Sequence, residues 1–347
     1  MTALLQTTEA PVAQPLKILI VSDAWKPQVN GVVRTLEATV RHLELLGHKV
    51  EVIGPDRFRT RPLPTYPEIP IALGVRRALP PMMEAAAPDA VHIATEGPLG
   101  WGARKWCLRN GRPFTTSFHT MFAEYVNLRT RIPLAWSYAV LRRFHAPATA
   151  VMVSTDTMER TLAERGFRNI VRWVRGVDTD LFTPDDPTSL DLPRPIQMFV
   201  GRLAVEKNIE AFLKLDTPGT KVVVGDGPLR ADLEARFPDA IFLGARHGRE
   251  LARHYAAADV FVFPSLTDTF GLVMLEALAC GAPVAAYPVR GPADVIQDPA
   301  VGCLDQDLGR AIQRALALDR QACRRYALKW SWAASAAEFA GHLQPCR

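Results

Sequence analysis

The chain repeats one pattern, in which a short apolar run is followed by an amphipathic stretch of helical period. The first apolar run is LKILIVS (16–22), and the next stretch, VVRTLEATVRHLELLG (32–47), ends at a glycine suited to a helix C-cap. Further apolar runs are HKVEVIG (48–54), DAVHIA (89–94), PFTTSF (113–118) and TAVMVS (148–153). Uniformly apolar strands separated by helices predict a parallel sheet that is covered on both faces.

A polar segment interrupts this pattern, which then starts again. Residues 176–195 are rich in Pro and Asp and are predicted to be a linker. The apolar runs after it are PIQMFVG, TKVVVGD, AIFLG, DVFVFP and APVAAYP. We therefore predict two facing, doubly wound α/β domains with a ligand cleft between them. The predicted divisions are a flexible arm (1–15), a first domain (16–175), the linker (176–195), a second domain (196–320), and a C-terminal segment (321–347) that packs back across the domains, with one helical run over about 321–343.

Charge is divided unevenly between the two predicted domains. The net charge of the 347 residues is +5, but residues 1–175 carry 23 Lys and Arg against 14 Asp and Glu, whereas the remainder carries 18 against 22. A surplus of positive charge in one domain favours an anionic partner surface. Because no nucleic-acid-binding motif is present, we expect a membrane surface as that partner and no nucleic acid.

Segments that would target or cross-link the chain are not evident in the sequence. Residues 1–15 lack the basic and apolar regions of a signal peptide, and no apolar stretch is long enough to predict a membrane span. The five cysteines are odd in number and show no C-x-x-C spacing, which argues against disulfides or a zinc site. We expect a cytoplasmic protein.

Two cations follow the first apolar run of the second domain. In GRLAVEKN (201–208), Arg202 and Lys207 lie just beyond a predicted strand. At the carboxyl end of a parallel strand, this pair suits a diphosphate, which Arg binds as a fork and Lys as a point charge. A solvated loop is the alternative for either residue alone.

Two carboxylates stand eight positions apart in TDTFGLVMLEALACG (267–281). Glu276 lies in an apolar helical stretch, where an ionised carboxylate is costly unless something hydrogen-bonds it. Its partner is either a ligand hydroxyl or a distant arginine, and we favour the ligand. Asp268, just before the helix, could accept hydrogen bonds from sugar hydroxyls. Backbone amides that begin this helix can meet a phosphate, and they belong to Phe270, Gly271 and Leu272.

The first strand-to-helix turn, SDAWKPQVNGVVRTL, lacks the G-x-G-x-x-G fingerprint, which weakens an NAD-binding hypothesis. Gly31 in this turn still permits a close approach of an anion to a helix N-terminus. His119 follows a strand of the same domain and faces the same predicted cleft. His42 and His145 are predicted to lie on helical surfaces.

Together these motifs resemble the retaining glycosyltransferases of family 4, which have a two-domain B-type fold. The resemblance rests on VNGVVRTL (29–36), SFHT (117–120), RGVDTDLF (175–182), GRLAVEKN, VVVGDGP (222–228) and TDTFGLVMLEALACG. The family's pair of glutamates is Asp268 and Glu276 here, so the first acid is shorter by one methylene.

The resemblance implies a role for each candidate residue. Glu276 would bind the ribose of a nucleotide-sugar donor, Asp268 the hydroxyls of the sugar, and Arg202 and Lys207 the diphosphate.

In the same way, Gly31 would line the reaction centre, His119 would contact the transferred sugar, and the nucleobase would lie near Leu243 to Arg246. Neither a metal nor another cofactor is implied.

Within the family, the chain is most similar to enzymes that glycosylate membrane lipids, such as sulfoquinovosyl diacylglycerol synthases, phosphatidylinositol mannosyltransferases and glycosyl-diacylglycerol synthases. We expect a hexosyltransferase at the inner face of the membrane that uses a UDP-sugar and forms an α-glycolipid with an acceptor such as diacylglycerol. The alternatives are a GDP-mannose-dependent α-mannosyltransferase acting on a phosphoinositide, polyprenyl-linked or saccharide acceptor, a sugar-nucleotide 2-epimerase, and a non-catalytic sugar-nucleotide-binding protein.

Overall fold

Two six-stranded parallel sheets, one in each half of the chain, form the centre of the protein. The computed structural model describes residues 15–28, 30–63, 66–119, 133–268 and 270–345. Each sheet lies between helices, which confirms the predicted α/β fold with two Rossmann-like domains.

The N-terminal domain contains the first sheet, in the order β2-β1-β5-β6-β7-β8, and a separate antiparallel hairpin, β3-β4. Its strands are β1 (Lys17–Val21), β2 (Lys49–Ile53), β3 (Thr60–Leu63), β4 (Tyr66–Ala72), β5 (Ala90–Ile93), β6 (Thr115–Ser117), β7 (Val151–Val153) and β8 (Ile170–Arg172). Its helices are α1 (Gly31–Leu45), α2 (Val75–Ala86), α3 (Pro98–Arg109), α4 (Leu134–His145) and α5 (Asp156–Glu164).

The C-terminal domain contains the second sheet, in the order β11-β10-β9-β12-β13-β14. Its strands are β9 (Ile196–Val200), β10 (Thr220–Val224), β11 (Ile241–Gly244), β12 (Val260–Phe263), β13 (Val284–Ala286) and β14 (Gly302–Leu304). Its helices are α6 (Ile209–Leu213), α7 (Arg230–Arg236), α8 (Gly248–Ala257), α9 (Leu272–Ala279), α10 (Pro292–Val295) and α11 (Leu308–Ala315), and the last two helices of the chain are α12 (Arg320–Ala327) and α13 (Trp332–His342).

Both sheets reverse their strand order beside a central strand. In the first sheet, β1 lies between β2 and β5, and Val21 pairs with both Ile53 and Ile93. In the second sheet, β9 lies between β10 and β12. Loops diverge at such a switch point and leave a crevice at the carboxyl ends of the strands, where ligands of α/β proteins bind.

Asp23 organises the loop that leaves β1. Its carboxylate accepts hydrogen bonds from the backbone N–H groups of Leu99 (2.8 Å) and Gly100 (3.2 Å), in the first turn of α3, and from the Thr95 hydroxyl (3.0 Å). Burial raises the pKa of this carboxyl, although these hydrogen bonds lower it. The loop that precedes α1 is therefore tied to the N-terminus of the neighbouring helix α3.

The C-terminal end of the chain returns to the N-terminal domain. α12 packs against α9, whereas α13 packs against α1. The apolar face of α13 joins the core around β1, where Ala336 and Phe339 cluster with Ile18 and Leu36. The last helix of the protein therefore completes the core of the N-terminal domain.

The stretch predicted as one helical run, 321–343, is two helices separated by residues 328–331. Ser331 caps α13 and forms an isolated β-bridge with Val177. Gly176 permits this close approach, because a Cβ there would lie 2.5 Å from the backbone nitrogen of Trp332. The pairing with the interdomain segment interrupts a helical pattern that is continuous in the sequence.

Candidate active site

Lys207 and Asp268 form an ion pair at the switch point of the second sheet. The Lys207 ammonium donates to Asp268 Oδ1 at 2.6 Å and to Oδ2 at 2.8 Å. They meet because β9 and β12 are neighbours and their following loops are joined, by Asn208 Nδ2 to the Pro264 carbonyl (3.1 Å) and by the Ser265 hydroxyl to the Glu206 carbonyl (3.2 Å). Both side chains remain partly accessible, at 25% and 19%, so a ligand can reach them.

Gly291 fixes the backbone behind Asp268. A Cβ at this position would lie 2.6 Å from the Asp268 carbonyl oxygen, and φ is +81°, a conformation that favours glycine. The start of α10 therefore supports the loop that carries the acid.

Glu276 lies in α9 and is almost completely buried. Its Oε2 accepts a hydrogen bond from the Tyr255 hydroxyl at 2.9 Å, and its Oε1 lies 3.4 Å from Nη1 of Arg34, which belongs to the N-terminal domain. Burial raises the pKa of Glu276, opposed by Arg34 and by the hydrogen bond from Tyr255. The sequence left open a ligand or a distant arginine as the partner of this acid, and an arginine from the other domain faces it here.

A cavity of about 600 Å³ lies between the two domains beside Glu276. Its N-terminal wall comes largely from the α1 region and carries three cations and one acid, namely Lys26, Arg34, Arg41 and Glu37. Its C-terminal wall includes His247, Leu272 and Glu276. The size and position of this cavity suit a small ligand bound between the domains.

His119 lies in a buried polar cluster at the carboxyl end of β6. Arg175 Nη2 donates to His119 Nδ1 at 3.2 Å, so the proton of a neutral ring is on Nε2, which lies 2.8 Å from the Ser117 hydroxyl. Burial foremost, and then Arg175 and His92, hold the pKa of His119 well below its usual range. The ring is therefore neutral at physiological pH.

Arg175 is itself buried and stacks on Trp173, with its guanidinium carbon 3.8 Å from the ring centroid. Burial lowers its pKa to about 9, opposed by Glu338. His92, in the middle of the sheet, extends the network through Thr115 (2.9 Å) and Ser117 (3.0 Å).

The remaining predicted residues occupy helix and strand ends. Gly31 is the first residue of α1 and has open space around the position of a Cβ. Gly271 caps α9 in a left-handed conformation, and Phe270 packs into the core against Trp330. Arg246 follows β11, in the segment predicted to contact the nucleobase, and pairs with Glu250 at 2.9 Å. Arg202 lies exposed directly after β9.

Among the described residues, Lys207 and Asp268 are predicted site residues that contact each other, whereas Glu276 and His119 contact two residues that were not predicted, Arg34 and Arg175. Sequence reasoning missed Arg34, Tyr255 and Arg175, although Arg34 and Arg175 lie inside motifs that were singled out. It also placed His145 on a helical surface, which is wrong: the side chain is 1% exposed, because α4 presents it to Thr116 of β6 at 2.8 Å.

The buried His92 gives a pH-dependent contribution to stability. Burial, and secondarily Arg175, lower its pKa to about 3, whereas the unfolded value is ~6.5. Between these values the unfolded state binds more protons, so stability is lost as the pH falls below ~6.5, by ~1.4 kcal/mol per pH unit for this group.

We therefore expect the difference in free energy of unfolding between wild type and His92→Gln to shrink by ~1.4 kcal/mol from pH 7 to pH 5.5, in urea titrations at each pH. The difference cancels the contributions of groups common to both proteins. A difference independent of pH would contradict the assignment of His92 as a buried neutral ring.

The architecture is that of known two-domain glycosyltransferases. The structure of Anabaena HepE in complex with UDP-glucose superposes with a TM-score of 0.68 at 17% sequence identity, over 94% of this chain and 98% of that chain. A likeness at this level of identity establishes the class of fold, which is the two-domain B-type fold found in glycosyltransferases.

Sequence relatives place the chain within that class. Residues 29–181 match the profile of Glycosyltransferase Family 4, and residues 194–318 match that of Glycosyl transferases group 1. The chain is 34% identical over 372 residues to a GDP-mannose-dependent alpha-mannosyltransferase of Mycobacterium tuberculosis (96% of this chain, 97% of that protein). It is 27% identical over 350 residues to the alpha-monoglucosyldiacylglycerol synthase of Streptococcus pneumoniae (87% and 78%). The chain belongs to glycosyltransferase family 4 and is a hexosyltransferase, as its motifs predicted.

Proposed function

We propose that this protein transfers a hexosyl group from a nucleoside diphosphate sugar to a hydroxyl of a membrane lipid, with retention of anomeric configuration. The observation that carries the proposal is the Lys207–Asp268 pair at the switch point of the second sheet. It brings a cation suited to a phosphate and an acid suited to sugar hydroxyls to one edge of the cleft.

The proposed reaction exchanges two bonds at the anomeric carbon. The bond from C1 to the oxygen of the departing phosphate breaks, and a bond from C1 to the acceptor oxygen forms on the same face of the sugar. The acceptor's proton passes to the departing phosphate oxygen. Lys207 and Arg202 stabilise the negative charge that develops on the nucleoside diphosphate, and Asp268 and His119 position the sugar.

We propose that Lys207 and Arg202 stabilise the charge on the departing diphosphate without a metal ion. A rate that is unchanged by EDTA supports this part of the proposal, and a rate restored only by added Mg²⁺ or Mn²⁺ contradicts it.

Two donors are supported by different observations. GDP-mannose is favoured by the 34% identity to a GDP-mannose-dependent alpha-mannosyltransferase over nearly the whole chain. A UDP-sugar, the donor expected from the sequence, is supported by the shared fold of a protein solved in complex with UDP-glucose, and transfer of glucose by the likeness to an alpha-monoglucosyldiacylglycerol synthase. Because the first likeness is the stronger, we propose GDP-mannose as the donor and keep a UDP-hexose as the second candidate.

A lipid acceptor is supported by one face of the N-terminal domain. On α4, Trp136 and Val140 are 74% and 55% exposed and lie one turn apart, and Arg142 and Arg143 follow on the exposed side. An apolar stripe beside cations in a domain of positive charge suits an anionic bilayer. No helix in the part of the chain that the structure describes is long and apolar enough to cross a membrane, and we propose peripheral association at the cytoplasmic face.

The test of this function is incubation of the purified protein with GDP-mannose or a UDP-hexose and diacylglycerol-containing anionic liposomes, followed by lipid mass spectrometry and NMR of the product. An α-linked glycolipid from one donor supports the proposal. Transfer to soluble or polyprenyl acceptors without formation of a glycolipid would support the transferase activity and contradict the proposed lipid acceptor. A β linkage would contradict the proposed retention of anomeric configuration.

Membrane association should depend on Trp136. We expect Trp136→Glu to lower binding to phosphatidylglycerol vesicles about tenfold, because an interfacial indole is replaced by a charge that the anionic surface repels. Leu45→Glu is the matched control, since Leu45 is 72% exposed on α1. Vesicle co-sedimentation measures the effect, and equal losses in the two variants would contradict the assignment of α4.

A further inference from the structure

The ion pair between Arg34 and Glu276 joins the two domains across the cavity, and its two halves are held differently. Glu276 is anchored by the 2.9 Å hydrogen bond from Tyr255, a neighbour in the same domain. Arg34 Nη1 lies 3.4 Å from the carboxylate, longer than the usual ~2.7–2.9 Å of a charged hydrogen bond. The Arg34 side chain is 36% exposed, whereas that of Glu276 is 8% exposed. Arg34 is therefore the exchangeable partner.

Arg34 occupies a position that favours an anion. It lies in the first turn of α1, where Asn30 caps the helix by accepting hydrogen bonds from the backbone of Val32 and Val33 at 3.0 Å. The N-terminal end of a 15-residue helix carries partial positive charge, which adds to that of the guanidinium. Open space around Gly31 leaves this end accessible, and the carboxylate of Glu276 is the anion that Arg34 meets now.

Separation of this pair requires a ligand that satisfies both halves. Glu276 is buried, so it needs hydrogen-bond donors in place of the guanidinium. Arg34 in turn needs an anion. A nucleoside diphosphate carries ribose hydroxyls, which donate to a carboxylate, and a diphosphate, which accepts from a guanidinium. The two groups are a few covalent bonds apart in a single molecule.

We propose that Arg34 is a donor-binding residue, which exchanges Glu276 for the donor's diphosphate as Glu276 takes the ribose hydroxyls. This inference rests on the proposed function in that the ligand is a nucleoside diphosphate sugar. It adds to the C-terminal cations a diphosphate contact from the N-terminal domain, so that the donor is bound by both domains at once.

The experiment compares nucleotide and nucleoside affinities by isothermal titration calorimetry. UDP and GDP are titrated into wild type, Arg34→Gln and Arg34→Lys, and the binding of uridine and guanosine is measured by displacement of the bound nucleotide. Arg57→Gln is the matched control, because Arg57 is a cation of the same domain that pairs with Glu51 at 2.8 Å and does not line the cavity. Thermal melting checks that each variant is folded, and Arg34→Lys retains a cation if Arg34→Gln does not fold.

For the nucleotide that wild type binds, Arg34→Gln is expected to lower the affinity for the nucleoside diphosphate about tenfold. The affinity for the nucleoside should be unchanged or higher, because Arg34 no longer competes for Glu276. The ratio of the nucleotide affinity to the nucleoside affinity therefore falls at least about tenfold in Arg34→Gln, falls by less in Arg34→Lys, and stays constant in Arg57→Gln. An unchanged ratio would show that the ion pair is structural. Tighter binding of both ligands would show that Arg34 only blocks Glu276. If wild type binds neither UDP nor GDP, the result would instead contradict the proposed class of donor.

Discussion

Lys207→Ala is expected to lower kcat about 100- to 1,000-fold at saturating donor, the loss that follows removal of one preorganised donor from a developing negative charge. The departing diphosphate gains charge as the bond to the sugar breaks, and Lys207 stands at the strand end suited to meet it. Because this charge is greater in the transition state than in the bound donor, kcat should fall more than KM rises. Initial rates of nucleotide release give both parameters.

The matched control for this prediction is Lys214→Ala, since Lys214 pairs with Glu210 on the surface of the same domain. We expect its kcat to equal that of wild type. The opposing possibility is that Lys207 only neutralises Asp268. In that case Lys207→Ala combined with Asp268→Asn would recover kcat, whereas a catalytic Lys207 predicts no recovery.

Glu276→Gln should separate function from stability. The carboxylate is expected to accept two hydrogen bonds from the donor's ribose, each worth ~1.5 kcal/mol to a charged acceptor, so kcat/KM should fall ~150-fold. The folded protein gains from the same change, because burial raises the pKa of Glu276 and so disfavours its ionised form. The glutamine oxygen can still accept from Tyr255. The free energy of unfolding should therefore stay within about 1 kcal/mol of wild type or rise.

Denaturant titration and donor-dependent initial rates test both halves of this prediction. A variant that keeps its activity but loses about 3 kcal/mol of stability would identify Glu276 as a structural member of the interdomain ion pair. Tyr255→Phe is a useful companion, since it removes the anchor of the carboxylate and leaves its charge in place.

Local patterns in the sequence predicted five strands of each sheet, but they missed the last strand of each, β8 (Ile170–Arg172) and β14 (Gly302–Leu304). The apolar runs 16–22, 89–94 and 148–153 contain strands that are almost wholly buried, and a strand buried on both faces can be recognised from its own composition. The break between α12 and α13 could not be predicted in this way. It is caused by the pairing of Ser331 with Val177, which are far apart in the chain.

The contacts of the candidate site also differ in whether local patterns could predict them. Lys207 and Asp268 could be expected to lie at one edge, because both follow strands of one predicted sheet. The partner of Glu276 could not, since Arg34 is 242 positions away and belongs to the other domain. The burial of His145, in contrast, could have been predicted from the period of α4, because it stands seven and four positions after the buried Tyr138 and Leu141, on the same helical face.

The return of α13 to the first sheet has a consequence for how this enzyme can be recombined with its relatives. The N-terminal domain is encoded in two separate pieces, the chain up to Gly176 and the helix Trp332–His342, because Phe339 and Ala336 complete the core around Ile18. A chimera made with one crossover in the linker would place a foreign helix against α1. A chimera that exchanges both pieces together keeps the native interface, so exchanges of the N-terminal domain should be designed with two crossovers.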